Sequence, residues 1–181
     1  MLRDCLRVAY NANAMNTDPQ NTQPAPGARQ LLRHTLATLA YRADRAFREA
    51  PESFAGFNTG EKGRTPVHIL AHMGDLCDWV LSIAQGKQAW HDSTPLPWPQ
   101  EVSRFFAALK TFDDFVASDV PLAAPPEKLF QGAIADALTH TGQICMLRRM
   151  AGCPIQGENY YRADIAAGRV GQDQAPPAQR F

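Results

Sequence analysis

The sequence predicts an all-α fold arranged as a four-helix bundle. Three observations carry this reading. Four segments of about 20 residues or more repeat apolar residues at three-to-four spacing, which is the period of an amphipathic helix. No segment alternates at period two over the length of a strand. Proline, threonine and glycine stand where helices of this length should start and stop.

The first helix is expected from about Ala28 to Ala50. Leu32, Leu36, Leu39, Ala43 and Phe47 form one stripe, and Pro51 ends it. Asp44–Arg48 and Arg45–Glu49 are i,i+4 pairs on its flanks, each worth only a few tenths of a kcal/mol. The second runs from about Thr65 to Gln85. Thr65 suits an N-cap, Pro66 suits the first helical position and Gly86 supplies the stop. Its stripe is Ile69, Met73, Leu76, Val80 and Ile83.

The third helix is expected from about Pro99 to Ser118, with Val102, Phe105, Phe106, Leu109, Phe112 and Val116 on one side. The fourth runs from about Pro126 to Ala151. Its apolar positions include Leu129, Ala133, Ile134, Ala137, Leu138, Ile144 and Leu147. Glu127 in its first turn and Arg148 and Arg149 in its last complement the helix dipole, and Gly152 and Pro154 close it. Four such helices bury their stripes most simply against one another.

The links bear on topology. Helices 2 and 3 are joined by GKQAWHDSTPLPW, a segment able to span roughly 40 Å, enough to run the ~30 Å length of a helix. A parallel crossover between them is therefore open. The link from Asp119 to Pro125 is shorter and suits antiparallel neighbours.

Outside the helices the chain has little to bury. Residues 11–27 are rich in Asn, Gln, Thr and Pro and read as a mobile leader. Residues 1–10 read either as a short turn of helix or as frayed chain. The expected organisation is a flexible leader over 1–27, a bundle over 28–161 and an irregular tail over 162–181. That tail holds one short helix at most.

Composition narrows the function classes. The 181 residues suit one domain, and 18 basic residues balance 18 acidic ones. Without a run of Lys or Arg there is no footprint for nucleic acid. Cys5, Cys77, Cys145 and Cys153 form no CxxC pair, which points to a reduced, cytoplasmic protein. Arg3, Asp4 and Arg7 interrupt the first residues, so no secretory apolar region is expected there, and no stretch approaches a membrane span.

Several polar residues fall on core faces. His72 lies between Ile69 and Leu76, and His140 between Ala137 and Ile144. Asp136 is one turn before His140 on nearly the same face. A single core histidine is usually just hydrogen-bonded. A buried carboxylate is harder to explain, because left unpaired it costs several kcal/mol. A metal held by all three would offset that cost. D-x-x-x-H puts two ligands on adjacent turns about 6 Å apart at the backbone, and His72 supplies a third from a facing helix. Two imidazoles and a carboxylate suit Zn, Ni or Fe and leave positions open for water or substrate.

The neighbouring polar residues divide. His68, also four residues from His72, reads as a rim residue, with a fourth ligand or substrate-facing base as its alternative. Gln143, one turn beyond His140, reads as exposed, with orientation of a ligand or contact with substrate as its alternative. Trp79 and Trp90 are candidates for a pocket mouth, with core or interface packing as the first reading of Trp79. His34 and His91 read as exposed.

THTGQICMLRRMAG, residues 139–152, resembles the fourth-helix signature of the DinB/YfiT-like metalloenzymes, and PVHILAHMGDL, residues 66–76, resembles their second-helix motif. The resemblance spans roughly Ala28 to Tyr161. It implies a four-helix bundle with helices 2 and 3 parallel. It also implies a metal site of one histidine from helix 2, aligned with His72, and an H-x-x-x-H pair from helix 4. Here that pair reads Asp136 and His140, a departure that lowers the charge of the site and hardens it. Relatives transfer low-molecular-weight thiols such as bacillithiol or mycothiol to electrophiles, or isomerise a substrate with such a thiol.

Two functions are thus expected from the sequence. One is a metal-dependent enzyme acting on a small molecule, by thiol transfer first and hydrolysis second. The other is a non-catalytic homodimeric bundle whose metal is structural or absent, with Trp79, Phe105 and Phe112 serving an interface.

Overall fold

The computed structural model describes residues 26–60 and 63–181. Its four main helices are α1 (Pro26–Phe47), α2 (Pro66–Ala84), α3 (Trp98–Ala117) and α4. The path of α4 has three stretches: Pro126–Leu129, a π turn at Phe130–Ile134, and Ala135–Met150. Among the described residues there is no strand, only an isolated bridge between Glu158 and Arg180. None of these helices is long and apolar enough to cross a membrane.

The apolar stripes make the core. Leu36, Leu39 and Phe47 of α1, Met73 and Val80 of α2, Phe105, Leu109 and Phe112 of α3, and Leu129, Ile134 and Ile144 of α4 are all buried in one cluster. Each such side chain contributes about 1.5–3 kcal/mol on burial, far more than any exposed ion pair. Phe105 and Phe112 are fully buried within it. The expectation that they serve an interface is therefore corrected: both are consumed by the bundle's own packing.

Contacts between helix ends fix the arrangement. Arg104, early in α3, donates to the carbonyl of Ala71, in the first half of α2, and to Asp75 at its middle. At the other end Ala123, just past α3, donates its amide to Ala84 at the end of α2. Arg29, at the start of α1, donates to the carbonyls of Val116, Ser118 and Val120, while Arg33 forms a two-pronged bond with Asp113. Arg148 is buried and donates to the carbonyls of Ala46, Arg48 and Glu49. Its expected part in complementing its own helix dipole is joined by a second one, closing the end of α1, whose last carbonyls have no partner within the helix.

Helix boundaries agree with the sequence to within a few residues. α1 starts at Pro26 and ends at Phe47, so the last two residues of the expected leader are helical. The rest of that leader, with Cys5, lies outside the described residues. Gly86 and Gly152 adopt positive φ (74° and 76°) and end α2 and α4. The expected Arg45–Glu49 pair is not made. Arg45 turns instead to Asp44, Glu158 and the Tyr41 hydroxyl. Asp44, expected on a flank, is buried while paired with Arg48.

The tail is irregular, with one 3₁₀ turn at Tyr160–Arg162, but it is packed. Tyr41 donates to Glu158, Arg45 donates to the carbonyl of Ala175, and Val170 is buried in the core cluster. These contacts dock the tail along α1.

Candidate metal centre

α2 and α4 bring His72, Asp136 and His140 together. One donor atom from each lies within 4.8 Å of the others. His72 Nε2 is 3.7 Å from one Asp136 oxygen, and His140 Nε2 is 3.5 Å from the other. The two imidazoles meet edge to face, with ring centroids 4.9 Å apart. Spacing explains the pair on α4: residues four apart sit one above the other on a helix. His72 completes the group because its stripe on α2 faces α4.

The Asp136 side chain is 46% exposed, against 21% for His72 and 12% for His140. The carboxylate is therefore not buried, as its place in the sequence suggested, and water relieves much of the cost of its charge. It lies on the open side of the group, where a solute has access. The imidazoles form the inner wall. Burial, with His140 and Arg64 nearby, holds the His72 imidazole below its usual range, partly offset by Asp136 and Asp75. A lowered imidazole pKa keeps the ring neutral, the form that binds a metal.

Gln143 is exposed, yet its Oε1 lies 2.7 Å from His140 Nδ1. That contact places the ring proton on Nδ1 and leaves the Nε2 lone pair directed at Asp136 and His72. His68 contributes no donor atom to the group. It is exposed in the first turn of α2, its Nδ1 2.6 Å from the Thr65 hydroxyl. Thr65 thus stands at the N-cap but gives its side chain to His68, not to the helix backbone.

The donor set fits a divalent ion. Tetrahedral Zn²⁺ at its usual bond lengths separates its ligand atoms by about 3.3 Å. The 3.5 and 3.7 Å separations, each to a different oxygen of Asp136, and the 4.8 Å span of the whole group leave the side chains a short movement from such a geometry.

Trp90, Trp79 and His91 lie near this group. Trp90 packs edge to face on His72, with centroids 5.6 Å apart, and on Trp79 at 5.9 Å. Trp79 itself covers Gly132 on α4: a β-carbon there would meet its ring at 3.8 Å. His91, expected to be simply exposed, is exposed but lies 3.4 Å from Asp75 and 3.3 Å from Asp78. These three also have donor atoms within 4.8 Å of one another, but the Arg104 guanidinium already sits 3.1 Å from Asp75 and 3.5 Å from Asp78. A cation is built into that cluster. Sequence reasoning did not find it, because Asp75 and His91 belong to different elements and no short motif joins them.

Comparisons of the chain with protein-family models, with characterised proteins and with solved structures found no match.

Proposed function

We propose that the chain is a divalent-metal protein of the DinB/YfiT type that acts on a small molecule, with His72, Asp136 and His140 as ligands. The observation that carries this reading is the convergence of two imidazoles and a carboxylate from two helices, with one donor atom of each within 4.8 Å of the others. The DinB type, with α2 and α3 parallel, is supported by Arg104 meeting Ala71 at one end while Ala123 meets Ala84 at the other. A bound Zn, Ni or Fe ion supplies Lewis-acid chemistry, lowering the pKa of a water or thiol brought to it. The chain's own residues orient and expose the site. Gln143 fixes the His140 ring, burial keeps His72 neutral, and the exposed side of Asp136 leaves the approach open. Thiol transfer to an electrophile is the first reaction to test and hydrolysis the second.

One observation favours a second reading, a non-catalytic bundle with a vestigial site. Asp136 lies within ion-pairing distance of both histidines, so the group can satisfy itself without a metal once a ring is protonated. Purification without a His-tag and elemental analysis separate the two. About one ion per chain is expected. The Co²⁺-substituted protein is then titrated with azide and a small thiol, and a shift of the cobalt bands is expected from an open coordination position. Negligible metal after reconstitution overturns the proposal.

A further inference from the structure

The segment between α2 and α3 passes over α2 and is tied down at three places. Ser93 gives both its amide (3.0 Å) and its hydroxyl (2.7 Å) to Asp75. Ser82 exchanges hydrogen bonds with the backbone of Ala89. Leu96 donates its amide to the buried Glu101. Asp75 is buried and also held by Arg104, whose guanidinium lies beside Gly74. A β-carbon on Gly74 would come within 2.5 Å of Arg104, so only glycine leaves the guanidinium its place. A link this long has no need of so many anchors merely to join two helices.

What the anchors fix is Trp90. Its ring is wedged against both His72 and Trp79, two turns apart on α2. Opposite Trp79 on α4 is Gly132, one turn before Asp136. Trp90 therefore stands beside the three-residue group, over the stretch of α2 between His72 and Trp79. It is nevertheless 44% exposed. A half-exposed indole is ordinary by itself, but this one touches a candidate ligand and is held in place, so its free surface is presented beside whatever binds there.

We infer that Trp90 is the binding wall for the non-reacting part of the ligand, and that this part is a flat apolar group, an aryl ring above all. The inference rests on the metal reading above. An aromatic partner covers the indole by stacking or edge contact, while an aliphatic group of like size gains area burial alone. Asp75 and Ser93 are positioning residues, acting through the backbone that carries Trp90. The His91 contacts with Asp75 and Asp78 brace the same backbone from the next residue.

The test uses the Co²⁺-substituted full chain and two probes with the same metal-binding head, benzohydroxamate and acetohydroxamate, titrated by the cobalt absorption bands. The parent should bind the aryl probe about tenfold more tightly, the order expected of one aromatic contact and its burial. Trp90→Ala should reduce that preference to about twofold or less, and Trp90→Phe should keep most of it. Thermal melts confirm that the variants fold, as expected for a half-exposed loop residue. Failure of the parent to give a cobalt spectrum overturns the metal reading and this inference together. A normal cobalt spectrum with equal binding of both probes, or with the aryl preference intact in Trp90→Ala, overturns the wall alone.

Discussion

Nδ1 of His140 and Oε1 of Gln143 are 2.7 Å apart, one turn along the same helix. An amide oxygen at that distance accepts a hydrogen bond from the ring N–H, so the opposite nitrogen keeps its lone pair. Partners of this kind typically change metal affinity by about 10–100-fold when removed. Gln143→Ala is therefore expected to weaken Zn²⁺ binding by about tenfold, measured by competition with a chromophoric chelator. Because Gln143 is exposed, the thermal melt of the metal-free protein should not move. An unchanged affinity would show that the ring is oriented by its packing alone.

Asp136 stands where the resemblance places a histidine. Asp136→Asn keeps the shape, removes the charge and leaves a poor ligand. Metal affinity is expected to fall by at least about 100-fold, with the fold intact, since the apolar stripes supply most of the stability. Asp136→His should retain metal and shift preference towards softer ions. His68→Ala serves as the contrast, with metal content equal to that of the parent. Loss of metal in the His68 variant, or full retention in Asp136→Asn, would reassign the ligands.

The stripes were legible because burial on a helix is periodic: Leu36, Phe105 and Ile144 are buried where three-to-four spacing puts them. The convergence of His72 with Asp136 and His140 was legible for the same reason, since each sits beside such a stripe. The exposure of Asp136 was not. A spacing rule gives the side of a helix but not how far a neighbouring helix covers it. Glu158 reaching Tyr41, and Ser93 reaching Asp75, were hidden because each joins residues far apart in sequence through irregular chain. The Gln143 contact was within reach, since a glutamine three residues after a histidine lies on the same helix face.

Glu49 follows α1 with φ at 54°, the left-handed conformation that favours glycine. Its side chain is exposed and makes none of the ion pairs seen among the described residues. Glu49→Gly removes the backbone strain and is expected to stabilise the fold by about 0.5–1 kcal/mol, read from urea unfolding at an unchanged m-value. The carbonyl that receives Arg148 is retained in this variant. A loss of stability would mean that the greater freedom of glycine in the unfolded chain outweighs the relief.

Cys77 is buried between α2 and the core, and burial, with Asp78 nearby, pushes its thiol far above the usual range, only slightly offset by Arg104. Burial also raises the Cys145 thiol, but that side chain is only half-buried. The thiolate is the reactive form, and a raised pKa makes it scarce. Iodoacetamide at pH 8 should therefore label Cys153 and, more slowly, Cys145 in the folded protein, and Cys77 only after denaturant is added. Peptide mass spectrometry reads the order. Prompt labelling of Cys77 would reveal local opening of α2.

The π turn at Phe130–Ile134 has a consequence for which changes of length the chain can accept. An α-helix turns by about 100° per residue, and a π turn takes up one residue more than an α turn. Leu129 before it and Ala137 after it are both buried, so the π turn keeps the two halves of α4 in phase by taking up that extra residue. Forced into regular α geometry with the same number of residues, this stretch would rotate Asp136 and His140 by about 100° away from His72, or else lift Leu129 out of the core, whereas deleting one residue as the π turn becomes an α turn keeps the two halves in phase. Deletion of the exposed Gln131 should therefore be tolerated in melting and metal binding, whereas insertion of one alanine beside it should fail in one or the other. The turn works as a vernier: it takes up one residue locally, so that the side chains of the two helices still meet.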